Sequence, residues 1–201
     1  MTIPEPAFNV AVLVYPGFSE FEVTVAMTLL SEHGQVDTVG LNDHLVRGEG
    51  GLRVLPVRTI EDVQVADYQA FLIPGAADIS PLVLAPETLP ELVAGFAAAG
   101  KVVEAICGGA SLLGRAGLLK DRPYTVTLTA EQRERLLLPE ENFTYQDVVQ
   151  SGQVITAQGH AFVEFGLAVA QALGVPRLER ARHFYSGQGN RSMEAEARPA
   201  S

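Results

Sequence analysis

Cysteine is almost absent from this chain: among 201 residues, only Cys107 carries a thiol. A single cysteine excludes an intramolecular disulfide and any zinc site built from several cysteines. The histidines are also few, and they are scattered without the spacing of metal ligands: His33, His44, His160 and His183. We therefore expect no metal site and no bound cofactor.

Basic residues are scarce as well. Lys and Arg number 14 against 24 Asp and Glu, for a net charge of -10. Such an acidic chain is a poor partner for nucleic acid or for an anionic membrane surface. No stretch approaches the ~20 apolar residues of a membrane helix, and residues 1–6 lack the basic start of a signal peptide. These absences predict a cytoplasmic protein in a reducing compartment.

Apolar residues, in contrast, make up 47% of the chain, enough for one compact domain with a sizeable core. We predict that this single domain covers residues 1–184. Residues 185–201 are small and polar, and they predict a disordered tail.

Short runs of branched apolar residues alternate with helical segments. The predicted strands cover residues 8–14, 35–41, 70–73, 102–106 and 124–127, with a hairpin near 147–156 and short antiparallel strands within 42–56. The predicted helices cover residues 19–32, 86–99, 110–116, 130–138 and 161–173, and Ser19 is a plausible N-cap of the first. Alternation of this kind predicts an α/β fold with a mostly parallel sheet and helices on both faces.

Cys107 lies where a predicted buried strand turns into a helix. It is followed by Gly108 and Gly109, and glycines allow the strained backbone angles of a sharp turn. The helix N-terminus beyond favours a thiolate over a thiol. The pattern therefore indicates a reactive cysteine on a nucleophile elbow; the alternative is a buried structural cysteine.

Ligands bind outside the carboxyl ends of the strands in open parallel sheets. The predicted strand exits bring together Gly17, Glu22, Pro74, Gly75, Ala76, Asp78, Cys107, Gln158, Gly159 and His160. Backbone N–H groups at Ala76 and Gly108 would suit an oxyanion hole. Glu22 and His160 are candidate proton-transfer groups, although each could be an ordinary surface or core residue. Asp78 is best interpreted as a loop cap.

The order of several motifs resembles the DJ-1/PfpI superfamily, which is related to class I glutamine amidotransferase domains. The matching segments are residues 15–18 with Glu22, 73–75, 105–109, 114–119 and 154–159. The resemblance implies a flavodoxin-like three-layer sandwich and a homodimer. It also implies that Cys107 is the nucleophile or redox cysteine and that Glu22 is the acid hydrogen-bonded to it. Gly75, Ala76 and Gly108 are the predicted oxyanion-site residues.

At two positions where members of the family have a histidine, this chain has another residue. Many family enzymes have a histidine where this chain has Thr127, and PfpI-type proteases have one directly after the cysteine, where this chain has Gly108. The isocyanide hydratase branch resembles this chain in residues 111–114, but it has threonine at the place of Gly108 and aspartate at that of Glu22. These departures argue against peptide hydrolysis.

Three functions remain open. The first is cysteine-dependent chemistry of hydrolase or lyase type on a small electrophile such as a glyoxal-type aldehyde, an amide or an isocyanide. The second is a redox-sensing stress-response protein that uses oxidation of Cys107. The third is a non-catalytic domain that binds a small ligand. For the first two we expect a proton on Glu22 and a Cys107 pKa well below the ~8.5 of a free thiol.

One acidic residue does not fit the predicted core. Glu104 lies inside a buried strand, where a lone carboxylate is costly. It could pair with Arg115 or another base, or face a dimer interface.

Overall fold

A mostly parallel sheet of seven strands forms the centre of the molecule. The computed structural model describes residues 7–187. The strands are β1 (Asn9–Val14), β2 (Gln35–Gly40), β3 (Val46–Arg47), β4 (Arg53–Val54), β5 (Arg58–Thr59), β6 (Ala70–Ile73), β7 (Val102–Ile106), β8 (Val148–Ser151) and β9 (Val154–Ala157). The sheet order is β5-β2-β1-β6-β7-β9-β8, while β3 and β4 pair separately as a short antiparallel ribbon. Every pair in the large sheet is parallel except β8–β9, the predicted hairpin.

Helices cover both faces of this sheet. They are α1 (Phe21–Ser31), α2 (Ser80–Val83), α3 (Thr88–Ala98), α4 (Ala110–Arg115), α5 (Ala130–Arg135), α6 (Phe162–Ala172) and α7 (Leu178–Tyr185). Alternate residues of a strand point to opposite faces. In β1, Val10 and Val12 pack with α1 and α6, while Ala11 and Leu13 belong to the core on the side of α3 and α4. The predicted α/β flavodoxin-like three-layer sandwich is confirmed.

Several predicted boundaries are wrong for local reasons. Residues 124–127 do not form a strand, because only Tyr124 makes a bridge, to Phe143. Ser19 does not cap α1; its hydroxyl donates to Glu49 at 2.5 Å, and Glu20 is the N-cap residue. The helix predicted over 130–138 ends at Arg135, and Leu137 has a positive φ of 55°.

The first three residues of the predicted disordered tail over 185–201 lie within the described part of the chain. Tyr185 is the last residue of α7, and the remainder of the prediction, from residue 188 onward, lies outside the described residues. The division into one domain of residues 1–184 stays a prediction.

Candidate active site

The four predicted strand exits belong to four consecutive strands of the sheet, β1, β6, β7 and β9. Cys107 follows β7 directly and opens a single 3-10 turn that leads into α4. Its φ is 56°, a left-handed value that is uncommon outside glycine and costs of order 1–3 kcal/mol. Cys107 therefore has the strained strand-to-helix backbone geometry that a nucleophile elbow requires.

The two glycines after Cys107 have a different role from the one that the sequence suggests. Neither has a positive φ, so the strained angle lies in Cys107 itself. A Cβ on Gly109 would lie 2.6 Å from the carbonyl oxygen of Pro74, and one on Gly108 would lie 2.5 Å from Ile79 Cγ2. The loop after β6 passes so close to both residues that a side chain at either position would fit only if the loop shifted.

Glu22 reaches Cys107 from the first turn of α1. Its side chain is only 2% exposed, it is hydrogen-bonded to the Cys107 sulfur, and its Oε2 accepts the backbone N–H of Gly75 at 2.6 Å. A Cβ on Gly159 would lie 3.0 Å from Glu22 Oε1 and 3.1 Å from Cys107 Sγ. The loop after β9 thus passes directly over the acid and the thiol.

Burial controls the protonation of this pair. It raises the pKa of Glu22 to about 7, against the smaller opposing effects of the Gly75 N–H and the thiol. Burial, together with the negative charge of Glu22, raises the pKa of Cys107 to about 12. The two groups titrate as a pair that keeps one proton above pH 7. The expected low pKa of Cys107 is therefore wrong, because desolvation exceeds the effect of the six-residue helix α4.

The backbone N–H groups of the three predicted oxyanion donors are not equally free to bind an oxyanion. The N–H of Gly75 is occupied by Glu22, so Gly75 holds the acid rather than an oxyanion. The N–H of Gly108 faces the Cys107 sulfur, where it lowers the thiol pKa. Within residues 7–187, the N–H of Ala76 has no acceptor. Ala76 and Gly108 stay the predicted oxyanion donors.

His160 is held away from the pair. Its ring is largely exposed, and Nε2 lies 3.0 Å from Asp147 Oδ1, without a contact to Cys107 in the described structure. The structure therefore brings Glu22, and not His160, to the thiol. Asp78 accepts the N–H of Ser80 at 2.9 Å, as a loop cap does.

Glu104 has neither of the partners considered above. It is fully buried, and in the described structure both carboxylate oxygens lack a hydrogen-bond partner. Arg115 instead contacts Glu87 at 2.7 Å. Burial raises the pKa of Glu104 well above its usual range, because an ionised carboxylate without a partner is poorly solvated there, and this favours the neutral acid.

Thr127 is the site residue that sequence reasoning missed. The sequence marks it only as the absence of a family histidine, but its hydroxyl lies close enough to the Cys107 sulfur to lower the pKa of the thiol. Its Oγ1 also accepts the Gly159 N–H at 2.9 Å and lies 2.9 Å from Gln158 Oε1. The signal that could have found Thr127 is its position in the sequence, because family members that have a histidine at that position have a polar group beside the cysteine.

The part of the chain that the structure describes holds neither a metal-binding cluster nor a membrane-spanning helix. No group of three or more His, Cys, Asp or Glu side chains in residues 7–187 is placed to hold a metal ion. No helix in that range has the length and hydropathy to cross a membrane.

A parallel three-layer α/β sandwich with a strained cysteine on an elbow and a buried glutamate beside it defines a class of cysteine proteins. The DJ-1/PfpI family model matches residues 8–172, and the chain belongs to that family.

Curated relatives include two enzymes. The isonitrile hydratase of Pseudomonas putida is 30% identical over 172 residues, which are 83% of this chain and 72% of the hydratase. The glutathione-independent glyoxalase DJR-1.2 of Caenorhabditis elegans is 30% identical over 161 residues, 78% of this chain and 83% of the glyoxalase. Among solved structures, the DJ-1 superfamily protein Atu0886 of Agrobacterium tumefaciens superposes with a TM-score of 0.79 at 25% identity, covering 90% of this chain and 99% of that one.

Proposed function

We propose that the protein is a cysteine-dependent enzyme of hydrolase or lyase type, which attacks a small electrophilic substrate through Cys107. The observation that carries the proposal is the hydrogen-bonded pair of Cys107 and Glu22 at the strained turn. A nucleophilic thiol needs a base within hydrogen-bond reach. A carboxyl with a pKa of about 7 is well matched to that task at neutral pH.

For a carbonyl substrate, the proposed first step is the addition of the thiol to the polarised carbon–oxygen double bond. As Cys107 Sγ bonds to the carbon, the thiol proton passes to the Glu22 carboxylate and the π electrons move to the oxygen. Glu22 then returns the proton to that oxygen, so the step needs no oxidant or reductant. The backbone N–H groups of Ala76 and Gly108 are the proposed donors to the developing negative charge.

The names of two relatives guide the choice of substrate. They are an isonitrile hydratase and a glutathione-independent glyoxalase, and both names refer to enzymes. The redox alternative requires an exposed thiol of low pKa. Burial raises the pKa of Cys107, which argues against a resting thiolate and so against oxidation sensing, whereas catalysis can use Glu22 as the base that takes the thiol proton.

The test is the consumption of methylglyoxal and, separately, cyclohexyl isonitrile by the purified protein. We expect turnover of one of them, loss of activity in Cys107→Ser, and a decrease of about 100-fold or more in Glu22→Gln. Glu164→Gln is the matched control, because Glu164 also lies in the first turn of a helix but is exposed. No turnover of either substrate, or full activity in Cys107→Ser, would contradict the proposal.

We also propose that the protein is a homodimer. Exposed apolar side chains surround the start of α1 and the β3–β4 ribbon, with Phe21 51% and Leu52 56% exposed. The side chain of Glu20 accepts the N–H groups of Gly50 and Leu52, which holds the ribbon against α1. A second copy that covers this face would bury these side chains. A cytoplasmic location stays a prediction.

A further inference from the structure

We propose that Thr127 is the side chain that donates a hydrogen bond to the Cys107 sulfur when the thiol loses its proton, and that Gln158 holds the hydroxyl hydrogen until then. The inference rests on the proposed nucleophilic role of Cys107 and adds a second residue to that chemistry. It gives Thr127 a role at the sequence position where other family members have a histidine.

Thr127 has one hydroxyl hydrogen and two acceptors for it. Its Oγ1 donates to Gln158 Oε1 at 2.9 Å, and the side chain lies close enough to the Cys107 sulfur to lower the pKa of the thiol. The N–H of Gly159 donates to the same Oγ1 at 2.9 Å, which fixes the oxygen in place. The hydrogen can therefore change acceptor by rotation about the C–O bond, without movement of a heavy atom.

The orientation of Gln158 decides where that hydrogen lies at rest. Gln158 is 2% exposed, and its Nε2 donates to Thr125 Oγ1 at 2.6 Å and to the Val126 carbonyl at 3.0 Å. These two bonds direct the amide oxygen, which can only accept, toward Thr127. While Cys107 is a neutral thiol, a weak acceptor, the Thr127 hydroxyl donates to Gln158.

Ionisation of Cys107 reverses this preference. When the thiol proton passes to Glu22, the sulfur becomes an anion, and charge-assisted hydrogen bonds are roughly twice as strong as neutral ones. The Thr127 hydroxyl then turns to the sulfur and keeps its own proton throughout. The groups around the sulfur are Glu22, Thr127 and the backbone N–H of Gly108. In the described structure no cation is among them, so hydrogen bonds alone must stabilise the thiolate.

Alkylation of the purified protein by iodoacetamide tests the proposal without knowledge of the substrate. Cys107 is the only cysteine, so the reaction has no background from other thiols. Thr127→Val has nearly the same shape but no hydroxyl, and we expect its alkylation rate at pH 7 to be about tenfold lower than that of the wild type. Thr127→Ser keeps the hydroxyl and should stay within about threefold of the wild type.

Two further variants separate a donor from a purely structural role. Thr144→Val is the matched control: Thr144 is half-buried, and its hydroxyl contacts the Tyr124 carbonyl at 3.3 Å rather than the site. Its rate should equal that of the wild type. Gln158→Leu removes the competing acceptor, so a folded Gln158→Leu protein should be alkylated at least as fast as the wild type.

The proposal is overturned if Thr127→Val reacts like the wild type, if Thr127→Ser is as slow as Thr127→Val, or if a folded Gln158→Leu protein is also slow. Should Gln158→Leu not fold, the comparison of the Val and Ser variants decides alone. A wild-type Cys107 that titrates like a free thiol contradicts the proposed function itself. A normal wild-type profile with an unaffected Thr127→Val contradicts only the role of Thr127.

Discussion

Ile79 lies so close to Gly108 that a Cβ on the glycine would come within 2.5 Å of Ile79 Cγ2. Ile79 belongs to the loop after β6, whereas Gly108 follows Cys107 in the turn after β7. The loop after β6 thus limits the size of the residue that can follow Cys107, which comes directly after the neighbouring strand β7. Threonine or histidine at this place, as in other branches of the family, would need a smaller residue than Ile79.

We predict that Gly108→Thr lowers the free energy of unfolding by roughly 1–3 kcal/mol, because the added atoms overpack the loop. Ile79→Ala in the same chain should restore part of that loss. Urea denaturation measures both effects. Gly95→Ala in α3 is the control, since its Cβ would lie 3.7 Å from Val65 Cγ2, an ordinary contact. A Gly108→Thr protein as stable as the wild type would show that Ile79 does not restrict this place.

Much of the fold could be predicted because its strands are short, continuous apolar runs. Residues 70–73 and 102–106 match β6 and β7 to the residue, since strands covered on both faces need no alternation. Helix α7 was missed because its eight residues include charged side chains and no fully buried position. Such a helix depends on packing against α6, which no local pattern reveals.

The site could be predicted only in part. The strand–Cys–Gly–Gly–helix pattern located Cys107, and the family resemblance supplied Glu22. Thr127 could not be placed against the sulfur, because a contact across 20 residues depends on how the loops return to the sheet. The degree of burial was also unknown from sequence, and burial is what raises the pKa of the thiol.

We predict no measurable cleavage of casein. Peptide hydrolysis by a cysteine protease uses an imidazole that takes the thiol proton and delivers it to the leaving amine, and in the described residues no imidazole contacts Cys107. Papain in the same assay is the positive control. Cleavage by the wild type that disappears in Cys107→Ser would contradict this prediction and would mean that Glu22 can also protonate a leaving amine.

Light scattering at micromolar concentration should give the mass of two chains. Phe21→Ser combined with Leu52→Ser should shift the equilibrium toward the monomer, because both apolar side chains would be buried between the copies. Leu84→Ser is the control, since Leu84 is 80% exposed and lies next to α2 rather than near α1. A monomeric wild type would contradict the proposed homodimer.

The rate of Cys107 alkylation should rise with pH around a midpoint near 7. Below that pH the pair of Glu22 and Cys107 holds two protons, and no base is available to the thiol. The rate should therefore fall about tenfold for each pH unit below the midpoint. Glu22→Gln should abolish the midpoint near 7 and leave a thiol that ionises only at much higher pH. A wild-type midpoint near the ~8.5 of a free cysteine would contradict the pairing.

Glu104 should make the protein less stable as the pH rises above about 4, the usual pKa of a glutamate in an unfolded chain. Its pKa in the folded state lies well above the ~4.3 of an unfolded glutamate, so the folded state holds a proton that the unfolded state has lost. Its contribution to stability is fully present below pH 4, and it decreases by about 1.4 kcal/mol per pH unit until the folded-state pKa is reached. Glu22 adds a similar slope, but only up to its pKa of about 7.

Glu104→Leu tests this assignment, because it removes the acid and keeps an apolar side chain of similar size between Leu72 and Ile155 of the neighbouring strands. Urea denaturation at pH 5, 7 and 8.5 should show the variant gaining stability over the wild type as the pH rises. Glu164→Gln, the exposed control, should leave the difference between pH values unchanged. A gain of Glu104→Leu that is the same at all three pH values would mean that Glu104 is already ionised in the folded protein, and that a partner outside the described residues stabilises its charge.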